Sequence, residues 1–181
     1  MKYLAVASLA AMGAAVSDGK CRVLVLSGGS NNGAWESGVI WGLLHYGNPA
    51  DFAWDAVSGV SAGAINTGGI ATWATGDELA MSEWLSDTWE NMTNEKLFIY
   101  RDGSYYDLLF KEPSFIDDTP ALATLKDIVD DTGGAIKRNF TVSAVDANTG
   151  EYIAMSNKNT PYENLAQSAL SSGSLPGILL P

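Results

Sequence analysis

The stretch Val57-Ser58-Gly59-Val60-Ser61-Ala62-Gly63-Ala64-Ile65-Asn66 constrains this chain more than any other. Within it, Gly59-Val60-Ser61-Ala62-Gly63 reads G-x-S-x-G. The run Phe52 to Val57 suits a short strand, and Ala62 to Trp73 is rich in small residues that a helix tolerates. A strand entering a tight turn, with a helix leaving it, is the setting of a nucleophile elbow. Ser61 at such a turn takes a strained backbone conformation. Gly59 and Gly63 lack the bulk that would keep strand and helix apart. The product is a hydroxyl at the C-terminal edge of a sheet, above a helix N-terminus. The same residues also fit an ordinary Gly-rich strand-to-helix turn, so the rest of the chain has to decide.

A second strand–loop–helix unit precedes the first. Arg22 to Ser27 is a nearly continuous apolar run, as in a parallel strand covered on both faces. It ends at Gly28-Gly29-Ser30-Asn31-Asn32-Gly33, and a helix is expected from Ala34 to about Tyr46, with Val39, Leu43 and Tyr46 on one face. Loop and first-turn N–H groups would form an anion site, reinforced by the helix dipole. A Walker loop needs Lys after Gly33, where Ala34 stands, and the glycine spacing is not G-x-G-x-x-G. Nucleotide phosphate is therefore disfavoured. An oxyanion hole for Ser61 fits the same parts, with donors on one strand–helix loop facing a serine on the next. A helix start that is simply glycine-rich fits them too.

A serine hydroxyl needs a base to take its proton. In the hydrolases that share this elbow, the histidine follows the serine in the chain. Here the single histidine is His45, sixteen residues before Ser61 and near the far end of the expected helix. It reads as a surface or capping residue. A Ser-His-Asp triad is excluded on this order, so the base is a carboxylate or there is none.

At this point the chain resembles a known family. Ser27-Gly28-Gly29-Ser30-Asn31-Asn32-Gly33, with its spacing to Gly59-Val60-Ser61-Ala62-Gly63, is similar to the oxyanion loop and elbow of patatin-like phospholipases. Thr119-Pro120-Ala121-Leu122, Val145-Asp146 with Thr149-Gly150-Glu151, and Ser171-Ser172-Gly173-Ser174-Leu175-Pro176-Gly177 look alike too. The resemblance implies an α/β fold, a three-layer α/β/α arrangement with a mainly parallel central sheet. It implies a lipid acyl hydrolase with a Ser–Asp dyad and no histidine, acting on lipid esters without cofactor or metal. It makes Ser61 the nucleophile and Gly28, Gly29 and Ser30 the oxyanion-loop donors. Two loop positions depart from the family pattern G-G-G-x-[KR]-G: Ser30 replaces the third glycine, and Asn32 replaces the basic residue. The family's aspartate sits in a D-G-[GA] motif after the Pro-rich segment, and the chain reaches Pro181 before any such motif. Asp102-Gly103 is followed by Ser and comes too early; Asp146 matches another segment and reads as a turn residue. The expectation is a C-terminally incomplete domain with little or no turnover. A catalytically inactive lipid- or fatty-acid-binding remnant is the alternative.

Composition bounds the partners. The 181 residues suit one domain. A net charge of −11 argues against nucleic acid and against recruitment to anionic lipid by charge. It leaves transient contact with neutral lipid through apolar surface open, and says nothing of oligomeric state. One cysteine, Cys21, allows no internal disulfide, and one histidine leaves no His-based metal cluster. At the N-terminus, Lys2 precedes an apolar run from Tyr3 to Val16, too short for a bilayer span. Its basic start and small-residue end read as a secretory signal over residues 1–17, with the hydrolase domain from 18 to 181. A buried first helix or strand is the other reading.

The remaining expectations are structural. Strands are expected near 22–27, 54–58, 139–145 and 151–155, with one sheet edge left bare. Helices are expected over 71–89, 119–129 and 160–170, the last opened by a capping box at Thr160.

Overall fold

The computed structural model describes residues 19–102, 106, 112 and 114–179. The expected leader, residues 1–17, lies outside them. In chain order the elements are β1 (Val23–Leu26), α1 (Asn32–Tyr46), β2 (Ala56–Gly59), α2 (Ala62–Ala71), α3 (Glu78–Glu90), α4 (Asn94–Leu97), β3 (Ile99–Tyr100), β4 (Ile116–Asp117), α5 (Thr119–Asp130), β5 (Asn139–Val145), β6 (Tyr152–Ser156) and α6 (Leu165–Gly173). The four expected strands all form, each within two residues of its predicted limits, in the order β1-β2-β5-β6.

β1, β2 and β5 run parallel and β6 returns antiparallel, so the mainly parallel α/β sheet is present. Alternation sorts the strands' side chains. Leu26, Val57, Phe140 and Val142 are buried on one face and join Ile70 of α2, Ile40 and Leu44 of α1, Met81 and Leu85 of α3, and Leu165 of α6 in a single core. Val23 and Val25, on the other face of β1, are exposed. Among the described residues β1 pairs only with β2 and β6 only with β5, so the sheet has an unpaired strand edge at each end.

Three helical expectations need correction. The helix expected over 71–89 does not start until Glu78. The backbone of residues 71–74 is diverted to serve Arg138, which sits just before β5. Its guanidinium donates to the carbonyls of Trp73 (2.8 Å), Ala74 (2.7 Å) and Trp54 (3.2 Å), and its own N–H and that of Lys137 bond Ala71 O. Gly76, with φ +106°, then turns the chain into α3. The carbonyls of Trp73 and Ala74 are drawn to a guanidinium far along the chain, so tertiary bonding overrode a helical pattern. The second correction concerns α1, whose buried residues are Gly33, Ser37, Ile40 and Leu44. Val39, Leu43 and Tyr46 do share a face, and it is the exposed one. Third, Thr160 does not cap a helix: its hydroxyl meets Asn159, Tyr162–Asn164 form one 3₁₀ turn, and α6 runs on to Gly173.

Arg138 is itself buried, and its Nη1 lies 3.2 Å from Oε1 of buried Glu78, the first residue of α3. Burial pushes the guanidinium below its ordinary pKa, and Glu78 pulls it back up. The other Glu78 oxygen accepts the Gly76 N–H at 2.7 Å. The pair ties α3, the 72–77 turn and β5 together at the N-terminal edge of the strands. Removing one partner of a buried pair strands the other charge and costs about 3–5 kcal/mol. Glu78→Ala is therefore expected to lower stability by about that much, and Glu78→Gln, which can still accept from Gly76, by less. Denaturation midpoints of the two variants measure the difference.

Candidate active site

The site lies where β1 and β2 end side by side. Leu26 is in register with Gly59, and Val60 N donates to Leu26 O at 3.3 Å, extending the ladder one residue. The next residue, Ser61, has φ +55° and ψ −121°, and α2 starts at Ala62. An L-residue held there costs roughly 1–3 kcal/mol and persists only when its surroundings impose it. The imposing contacts can be named. A Cβ on Gly59 would strike the carbonyl of Gly63 and the hydroxyl of Thr67. A Cβ on Gly63 would come within 2.6 Å of the carbonyl oxygens of both Leu26 and Ser27. Gly63 N donates to Ser27 O (3.1 Å), which stitches the first turn of α2 to the end of β1.

The Gly-rich loop folds against this elbow. A Cβ on Gly28 would stand 3.1 Å from Ser61 Cβ and 3.7 Å from its Oγ. Gly28 thus lies alongside the serine, across adjacent parallel strands. Ser30 has φ +54° and is, with Ser61, one of two non-glycine residues at positive φ among the described residues. Its carbonyl accepts from Gly33 N (3.3 Å), and Gly29 O accepts from Asn32 N (3.0 Å), closing the turn into α1. The side chain of Asn32 rests on Gly29, where an added Cβ would meet it at 3.1 Å. Among the described residues the N–H groups of Gly28, Gly29, Ser30 and Ala62 have no acceptor.

Polar residues that sequence reasoning missed hold these parts in place. Glu36, on the second turn of α1, accepts Ser27 N–H (2.9 Å) with one oxygen and the Asn66 amide (3.0 Å) with the other. Asn66 is fully buried on α2; its amide also donates to Gly33 O (3.0 Å), and its oxygen accepts Trp89 Nε1–H (2.7 Å) from α3. Gly33 makes room for that indole, which a Cβ there would meet at 2.5 Å. The one available signal was an asparagine inside an otherwise small and apolar helix. Ser172, at the end of α6, accepts the Ser61 N–H at 2.9 Å.

No base reaches Ser61 Oγ: among the described residues it has no hydrogen-bond partner. His45 stands at the other end of α1, roughly 20 Å away by helix rise. Its ring stacks on Trp41, bonds Trp41 O at 2.9 Å and faces Glu83 of α3 at 3.5 Å. Asp146 is a turn residue, as its sequence context implied. Its carboxylate accepts Asn148 N (2.8 Å) and Thr149 N (2.9 Å), and those bonds hold it below the usual carboxylate range. Two large open clefts, of about 540 Å³ beside Trp84 and Asp127 and about 590 Å³ beside Arg138, lie away from Ser61 and the loop. Neither is lined by Ser61 or the Gly-rich loop, and Ser61 itself is partly exposed.

Ser30 supplies a direct test of loop strain. A left-handed L-residue costs about 1–2 kcal/mol, while glycine's extra freedom in the unfolded chain costs 0.5–1. Ser30→Gly is expected to raise the denaturation midpoint, by up to about 1 kcal/mol, with an unchanged denaturant slope.

Comparison with known proteins completes the description. The solved structure of the heterodimeric ExoU–SpcU complex from the type III secretion system of Pseudomonas aeruginosa matches with a TM-score of 0.49 and 20% identity, over 87% of this chain and 37% of that one. VipD from Legionella pneumophila matches with a TM-score of 0.48 and 14% identity, over 89% of this chain and 43% of that one. The chain thus spans less than half the length of either. No curated protein matches. The sequence pattern of the family described as patatin-like phospholipase matches residues 24–181, from the second residue of β1 onward, and the chain belongs to that family.

Proposed function

We propose that this chain carries the nucleophile and oxyanion loop of a serine lipid acyl hydrolase. The observation that carries the reading is Ser61 itself: a non-glycine residue at φ +55° between β2 and α2, alongside Gly28 of the neighbouring loop. In the reaction Ser61 Oγ attacks the ester carbonyl carbon, and its proton passes to an aspartate. The N–H groups of Gly28, Gly29 and Ser30 hold the oxyanion, with the N-terminus of α2 adding positive potential. Collapse breaks the ester C–O bond, and the departing alcohol takes the proton. Water then attacks the acyl-serine by the same route. The dyad aspartate has to come from outside the described residues.

The apolar exposed face of α1 supports lipid contact. Trp35 is 70% and Tyr46 85% exposed, with Val39 and Leu43 between them, and Val60 is exposed beside the nucleophile. No charged side chain interrupts that stripe, since Glu36 turns inward to Ser27 and Asn66. Aromatic residues at the ends of an apolar stripe suit a lipid–water interface. Residues 1–17 fit a secretory leader, which would deliver the domain to lipid outside the cell.

An inactive lipid- or fatty-acid-binding remnant is the second reading, favoured by the absence of any partner on Ser61 Oγ among the described residues. A fluorophosphonate probe and a short-chain ester separate the two. The natural full-length protein is expected to be labelled and to turn over, and Ser61→Ala to reduce both to background. Absence of both from the unmodified protein leaves the binding reading. For the lipid surface, binding to phosphatidylcholine vesicles is expected to weaken in Trp35→Ser/Leu43→Gln. Because the chain carries a net charge of −11, adding anionic lipid is not expected to strengthen binding. Vesicle sedimentation reads both outcomes.

A further inference from the structure

The backbone N–H of Ser61 is committed. It donates to Ser172 Oγ at 2.9 Å, and that hydroxyl donates in turn to Ser143 O at 2.6 Å. Three elements meet in this short chain of bonds: the elbow between β2 and α2, the last turn of α6, and β5. Ser143 lies one residue beyond Val142, which is in register with Gly59, so its carbonyl stands at the same sheet edge as the elbow. A hydroxyl has one proton and two lone pairs. Because its proton points at Ser143 O, its lone pairs are free to face the Ser61 amide. The direction of the relay is therefore fixed.

We infer that Ser172 is a positioning residue for Ser61, a hydroxyl bracket that holds the nucleophile's backbone in its left-handed conformation. The inference rests on the proposed role of Ser61 as nucleophile. The helix start does not fix Ser61 by itself. Among the described residues, its neighbours bond through Val60 N to Leu26 O, through Gly63 N to Ser27 O and Val60 O, and through Ala64 N and Ile65 N to Ser61 O. The last two fix the peptide on the C-terminal side of Ser61. The peptide on its N-terminal side, whose orientation sets φ, is held at its oxygen by Gly63 N and at its nitrogen by the Ser172 bond. Rotation about φ swings that N–H away from Ser172, so losing the bond lets Ser61 relax toward negative φ. The Oγ then moves relative to Gly28. A misplacement of about 1 Å can cost as much as 10²-fold in rate.

The bracket also assigns a task to Ser171-Ser172-Gly173-Ser174. Ser171 and Ser174 spend their hydroxyls locally, on Gln167 O (2.8 Å) and Leu170 O (3.1 Å), as serines on a helix end commonly do. Ser172 alone among the three reaches out of its helix. Its placement depends on α6 packing on α2 through Leu165, Ala166 and Ala169, all buried.

The test uses two independent readouts on the natural full-length protein. The first is hydrogen exchange at the Ser61 amide, which does not depend on activity. Protection is expected in the unmodified protein, although Ser61 is partly exposed, and exchange about 10-fold faster is expected in Ser172→Ala. The second is the rate of fluorophosphonate labelling, expected to fall about 10-fold or more in Ser172→Ala and to recover in Ser172→Thr, which restores the hydroxyl. Should Ser172→Ala fail to fold, protection in the unmodified protein and in Ser172→Thr decides the matter. An unprotected Ser61 amide overturns the bracket. So does Ser172→Ala labelling at the unmodified rate. If the unmodified protein is not labelled at all, the nucleophile reading fails, and the bracket stands or falls on exchange alone.

Discussion

How closely α2 can approach the ends of β1 and β2 decides everything else at this edge. Gly63 sits with its α-carbon against the carbonyls of Leu26 and Ser27, and Gly59 sits against Gly63. Neither position has room for a methyl group. That approach brings the Gly28 loop to the serine and sets the first turn of α2 beneath it, with Ser61 at positive φ between them. Backbone is the obstacle at both glycines, so no side-chain rearrangement could relieve a substitution there.

Close approach of small residues supplies little side-chain contact of its own, and buried polar groups supply the rigidity instead. Asn66 bonds the loop through Gly33 O, α1 through Glu36 and α3 through Trp89. Arg138 does the equivalent work at the opposite edge, collecting three carbonyls and Glu78. A single such bond contributes only about 1 kcal/mol net, but an unmatched buried partner costs more than the bond contributes. Each group therefore specifies one arrangement of its neighbours more strongly than it stabilises the fold. Ser172 belongs to the same class, bonding the amide of the proposed nucleophile.

The electrostatics of the edge come from backbone more than from side chains. Asn32 stands where the family pattern has a basic residue, and its side chain lies over Gly29. The positive potential for the proposed oxyanion would then be left to the loop amides and the N-termini of α1 and α2. Glu36 sits close by, yet both its oxygens are taken by Ser27 and Asn66. Uncharged aromatic and aliphatic surface on α1 suits contact with an interface.

The sequence by itself determined the elements that depend on local chemistry. The strand–turn–helix around Ser61, the glycine requirement at positions 59 and 63, the Gly-rich loop before α1 and the turn at Asp146 were all legible. Each follows from which residues tolerate a given φ, lack a Cβ, or bond their own backbone. The order of the motifs also disposed of His45, because a helix C-terminus lies at the opposite end from a loop at its N-terminus. Tertiary structure decided whatever depended on a partner far along the chain. Residues 72–77 are a turn because Arg138, more than sixty positions later, takes their carbonyls. Val39, Leu43 and Tyr46 share a face on periodicity alone, but periodicity cannot say whether a face looks inward, and α3 packs on the other side. Asn66, Glu36 and Trp89 look unremarkable until the fold brings Glu36 and Trp89 into hydrogen-bond reach of Asn66. Ser172 is one of three serines in a four-residue stretch, and only the packing of α6 against α2 and β5 picks it out. Local backbone chemistry is written in neighbouring residues; which side chain answers a distant amide is settled when the chain closes on itself.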